Sequence, residues 1–277
     1  MNAAGRIGPV LPPRVAGLVL LALLGWAKDA EAYQCKHSED SEYLTLHWSE
    51  RRIEYAVEEG FEAPYPVVQA AFASWAVEPC TDLIFLPMGT VAPGAEVNVV
   101  GAIREGWQEA GYDPVAVAVT STFYEPATGQ LRRARITVND EDYDFIDLTR
   151  ECGGGEQVYD YGAVLTHEAG HFIGLDHTSV GAGDRNDPTM APTVDPCDRE
   201  KRTLAPDDVA GLCRIYPTGE PPQTCLSLPI QARYVSSQAF GCRTGAVPGP
   251  SWPGAVLLLL GISLLRSRTC GRVRERG

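Results

Sequence analysis

Residues 165–177 read L-T-H-E-A-G-H-F-I-G-L-D-H. His167 and His171 are four positions apart, so a helix of about 3.6 residues per turn sets both imidazoles on one face, one turn apart. Glu168 follows the first histidine and lies at the side of that face. Gly174 suits a left-handed helix terminus, and the reversal it permits can return His177 towards the other two histidines. Three neutral imidazoles make three ligands of a tetrahedral zinc and leave the fourth position for water, as a catalytic site requires. Such a metal brings the water's pKa towards neutrality, and Glu168 stands where it can take the proton. The competing reading is a helix that merely carries core or solvated histidines. Against it, three of the chain's five histidines fall within this one stretch.

Downstream, residues 179–187 are rich in glycine and aspartate and read as a loop, followed by T-M-A-P at 189–192. Residues 204–216 have helical spacing, with Pro206 suited to a first turn and Val209, Leu212, Cys213 and Tyr216 on one side. Upstream, Asp160 is a plausible N-cap for a helix over 161–173, reached through the flexible C-G-G-G at 152–155. Residues 43–48, 52–57, 83–86, 96–100, 115–124 and 134–139 read as strands, the last two joined through a Thr-Gly turn at 128–129. Pro64 and Pro66 open an amphipathic helix over 67–77. The acidic run N-D-E-D-Y-D at 139–144 has two readings, a solvated loop or a calcium site built on carboxylate oxygens.

With 277 residues, the chain has room for one sizeable domain with flanking segments or for two small ones. Net charge is −13; between residues 33 and 242, 14 basic residues face 33 acidic ones. Such a surface repels phosphate backbones, which argues against nucleic acid as a partner. Arg6 and Arg14, an apolar run at 15–27 and Ala30-Glu31-Ala32 read as a secretory signal peptide over 1–32, with Tyr33 first in the mature chain. An uncleaved anchor is the alternative reading.

Export permits disulfides. Setting Cys242 and Cys270 aside with the tail leaves six of the eight cysteines, and Cys197 with Cys213 is the favoured single pair. Residues 218–241 read as a linker. Over 242–277 a Gly/Pro-rich spacer, a short apolar stretch and terminal arginines follow the logic of a sorting or membrane-attachment signal.

The stretch H-E-A-G-H-F-I-G-L-D-H-T at 167–178, Asp176 within it, the T-M-A-P turn and L-A-P-D-D-V-A-G-L-C-R-I-Y-P at 204–217 resemble matrixin-type metzincin peptidases. The resemblance covers roughly residues 43–217 and implies a domain over 33–217. The implied fold is an α+β, zincin-like catalytic domain: a twisted five-stranded mixed sheet, packed helices and a small C-terminal subdomain after Gly174. It further implies that 115–124 is the edge strand lining the substrate cleft, with an extended peptide adding antiparallel to it. Residues 191–196 would wall the specificity pockets, and Met190 would form the floor beneath the metal.

The departures from that family are a long 177–190 loop, no propeptide cysteine motif, and only His37 and His47 left for a second zinc. The tail, with Gly241-Cys242, is similar to the MYXO-CTERM sorting signal. Together these readings predict a secreted or surface-held zinc endopeptidase acting on extracellular proteins or peptides. His167, His171 and His177 would be its metal ligands and Glu168 its general base. The rival from another class is a non-catalytic surface adhesion module that keeps a metal for stability.

Overall fold

The computed structural model of the chain describes residues 32–39, 41–148, 157–178, 187–225 and 240–242. In chain order the first elements are β1 Gln34–Cys35, β2 His37–Ser38, β3 Ser41–Thr45, β4 Arg52–Glu58, α1 Tyr65–Ser74 and β5 Ile84–Val91. Then come β6 Val99–Ile103, β7 Ala116–Glu125, β8 Gln130–Asn139, β9 Asp144–Ile146, β10 Val158–Asp160 and α2 Tyr161–Phe172. β11 Leu175–Asp176, β12 Thr193–Val194, a 3-10 turn Glu200–Arg202, α3 Pro206–Ile215 and β13 Phe240–Cys242 complete the order.

Five strands in the order β7-β8-β6-β4-β5 form the body of an α+β fold, the expected five-stranded mixed sheet. Four run parallel, and β7 runs antiparallel to β8. Two short strands lengthen it on the β7 side: β13 pairs with β7, and β12 with β13. β4 shows why the interior is parallel. It starts with alternation, Ile53 and Tyr55 inward, and ends with Tyr55 to Glu58 all buried, because both faces are covered there.

α1 lies against this sheet through Val67, Val68, Ala71 and Phe72. Pro66 is tolerated because its missing N–H falls in the first turn, where no intrahelical partner exists. The Phe72 ring stacks on Tyr55 at 4.0 Å and meets Phe172 edge-on at 5.1 Å, so one aromatic joins sheet, α1 and α2. The helix ends at Ser74, short of the 67–77 read from spacing. Trp75 turns into the core there and donates from Nε1 to the Thr166 carbonyl at 2.8 Å. β5 is longer than its apolar run suggested and passes through Pro87, which an edge strand accepts because only one side must pair. Within the acidic run, Asp140 pairs with Arg104 at 3.0 Å and Glu141 accepts from the Trp107 N–H at 2.7 Å.

Two disulfides join distant segments: Cys35 to Cys225 and Cys80 to Cys213. The second corrects the expected Cys197–Cys213 pairing, which would have closed the loop after the histidine stretch onto the following helix. The end of α3 packs on the loop after α1, where the Thr218 N–H donates to the Cys80 carbonyl at 2.9 Å, and that contact brings Cys80 to Cys213. Cys197 is itself disulfide-bonded. Cys225 is buried, with its N–H donating to Thr45 Oγ1 at 2.9 Å, so the chain stays packed on the domain to that point. Among the described residues no helix is long and apolar enough to cross a membrane. The signal peptide, the glycine-rich 152–155, most of the loop 179–187 and the apolar tail lie outside the described residues.

Candidate functional site

All twelve residues of α2 are buried, two histidines and a glutamate included. Burying such groups is costly unless each is held by a partner, and the surroundings supply them. At the N-terminus Asp160 Oδ1 accepts from the Ala163 N–H at 2.7 Å, the predicted N-cap. The same carboxylate takes a two-pronged hydrogen bond from Arg202, at 2.6 Å from Nε and 2.5 Å from Nη2, which also reaches Asp147. At the C-terminus the carbonyls that a helix leaves open are closed by side chains. Trp48 Nε1 donates to Phe172 O at 2.8 Å and the Tyr216 hydroxyl to Ile173 O at 2.7 Å.

Gly174 follows at φ +97°, a left-handed conformation that ends the helix and turns the chain back. β11 then pairs with β1 and carries His177 to the other two histidines. His167 Nδ1 lies 2.6 Å from Thr189 O, and His171 Nδ1 lies 2.9 Å from Leu175 O. Both carbonyls can only accept, so each Nδ1 carries its proton and each Nε2 presents a lone pair. The His177 Nε2 stands 3.3 Å from that of His167 and 3.1 Å from that of His171. Two zinc–nitrogen bonds of about 2.0 Å at a tetrahedral angle put their nitrogens about 3.3 Å apart. The donor set therefore fits zinc. Burial lowers the pKa of His167 and His171 well below the usual imidazole value and lowers that of His177, so all three imidazoles are neutral at pH 7, the form that can ligate a metal.

Beneath α2, the Met190 sulfur packs against Gly170, where a Cβ would come within 2.3 Å of it. The turn that carries Met190 is held by Asp208 in the first turn of α3. Its carboxylate accepts from the backbone N–H groups of Thr189 at 2.8 Å, Met190 at 2.9 Å and Ala205 at 2.7 Å. Removing one buried partner leaves an amide unsatisfied at about 1–3 kcal/mol. Asp208→Ala is therefore expected to lose at least about 3 kcal/mol in urea unfolding and to bind zinc more weakly. A variant with an unchanged midpoint would show that water replaces the carboxylate.

Glu168 is 1% exposed. The Thr120 hydroxyl, from β7, donates to its Oε2 at 2.6 Å. Burial pushes the Glu168 carboxyl up to about 7, while the Thr120 hydrogen bond and the Lys36 ammonium pull it down. A cation among the three histidines acts in the same downward direction. Thr120, Lys36 and Asp208 were not singled out in the sequence. Only Asp208 left a trace there, as an acid just after Pro206 at a helix start.

The three-histidine cluster, two members on α2 and one on the return after Gly174, lies in a domain whose α+β fold and site together are those of a metzincin-type catalytic domain. The matrixin family model matches residues 47–217, well over half of the chain. The chain belongs to the matrixin family of zinc-dependent metallopeptidases. None of the curated proteins compared with the chain matches it.

Proposed function

We propose that the protein is an exported zinc endopeptidase in which His167, His171 and His177 hold the metal and Glu168 is the general base. The observation that carries this is a buried carboxylate, one residue from a ligand, aimed by Thr120 from the strand that would bind the peptide. A bound zinc supplies Lewis acidity, lowering the pKa of water and polarising a carbonyl. Glu168 takes a proton as water attacks the scissile carbonyl and delivers it to the departing amine. Thr120 holds Oε2 in one place throughout, so the proton is passed without a search over rotamers. The peptide lies extended and antiparallel to β7, contributing backbone hydrogen bonds that any sequence can make, while residues 191–196 wall the side-chain pockets.

The adhesion-module reading accounts for the metal but not for Glu168. A structural site has no use for a carboxylate buried beside the three histidines and held by the Thr120 hydroxyl. Cleavage after Ala32 and attachment through residues 242–277 would place the active site outside the cytoplasm. The Ala32 and Tyr33 N–H groups both donate to Asp207 Oδ1, at 2.8 and 3.0 Å, and cleavage between them would leave that carboxylate to the Tyr33 ammonium alone. The purified protein is expected to cut denatured casein and a peptide library, and a zinc chelator should stop both. Cuts that persist in chelator would overturn the metallopeptidase reading. Intact-mass analysis of cell-surface protein tests the processing, and a chain that still contains residues 1–32 would refute it.

A further inference from the structure

The outer side of β7 is already paired in this structure. β13 runs antiparallel to it, Phe240 opposite Ala118 and Gly241 opposite Ala116, with a register shift between the two pairs. On its other side β13 runs parallel to β12, Thr193 opposite Gly241 and Val194 opposite Cys242. The segment therefore lies between the strand and the pocket wall that the proposed function assigns to substrate, and it has the antiparallel direction along β7 that reading requires. Ala118 is two residues from Thr120, which holds Glu168, a step of about 7 Å along a strand. Thr193 is three residues beyond Met190.

We infer that the chain's own C-terminal segment occupies the substrate groove in cis and keeps the enzyme latent until it is withdrawn; this rests on the peptidase reading above. Two features favour a bound segment over a passing one. The Cys35–Cys225 disulfide anchors the chain to the domain 15 residues before Phe240 in sequence, so β13 meets β7 as an intramolecular partner and not from free solution. Residues 230–247 contain no proline, although prolines flank them at 229 and 248, so every N–H there can enter a ladder. Gly241-Cys242 is also the pair read as the hallmark of the sorting signal. It cannot lie in this sheet and in a processing enzyme's site at once, so processing there requires the groove to open.

The test compares the full-length exported protein with its Gly241→Pro and Gly241→Ala variants. Proline removes an N–H and fixes φ, while alanine keeps the ladder. Hydrogen exchange at the β7 amides is expected to be at least tenfold faster in Gly241→Pro than in wild type or Gly241→Ala. The KM for denatured casein should fall several-fold with kcat within twofold, the pattern of a lost competitor. A synthetic peptide of residues 236–245 should restore the higher KM competitively. Equal exchange in all three proteins, an unchanged KM, or no inhibition by the peptide would overturn the inference. Faster exchange in Gly241→Pro with no casein cleavage by any form would keep the cis strand and overturn the peptidase reading instead.

Discussion

Glu168→Gln is expected to keep one zinc per chain and an unchanged melting temperature while kcat falls by about 10²–10⁴-fold, the contribution usual for a positioned general base. The substitution is nearly isosteric. Its amide oxygen can still accept from the Thr120 hydroxyl that now bonds Oε2 at 2.6 Å, so packing within α2 is preserved. What is lost is the ability to take up a proton. KM should stay near its wild-type value, since the side chain adds nothing to ground-state binding of the peptide. The check is metal analysis, thermal unfolding and steady-state cleavage on one preparation. A kcat within about threefold of wild type would remove Glu168 from the chemistry and return attention to a metal-stabilised binding module.

Gly174→Ala is expected to be the most damaging small change near the site. Its φ of +97° is unfavourable for any residue with a Cβ, at roughly 1–3 kcal/mol. The added methyl would also sit 2.1 Å from the Leu46 carbonyl oxygen, a backbone atom that cannot swing aside. Relief requires the reversal after α2 to open, which moves β11 and with it His177. A loss of about 3 kcal/mol corresponds to a fall in melting temperature of about 6–12 °C for a domain of this size. Zinc affinity should drop at least tenfold, because one of three ligands no longer meets the others. Retention of wild-type affinity, measured by competition with a chelating dye, would show that the glycine serves folding alone.

The range of each interaction sets how plainly the sequence carries it. His167 and His171 lie one turn apart on a single helix, so their common face follows from helical periodicity alone. The Asp160 cap and the Gly174 terminus are equally local, each acting within about one turn of the helix end it closes. Pairings across the chain were less accessible. Cys197 and Cys225 both lie closer to Cys213 in sequence, yet the bond forms with Cys80, 133 residues away. Loop-closure entropy grows only slowly with loop length, so spacing says little about which cysteines meet. Thr120 sits in an ordinary β-prone run, and nothing in V-T-S-T distinguishes the hydroxyl that faces Glu168 from its neighbours.

The donor chemistry is written locally: three imidazoles and a carboxylate in a helix–glycine–turn arrangement, with a methionine turn to follow. Those features depend on backbone geometry within a few residues. How the donors are oriented, and what surrounds them, comes from contacts between distant parts of the chain. The Thr189 and Leu175 carbonyls select the tautomers of His167 and His171, and Asp208 gathers three amides under Met190. The same is true of β13, whose place along β7 depends on the open hydrogen-bonding side of a distant strand. Each of these depends on groups brought together by burial of the core, and burial depends on the whole chain.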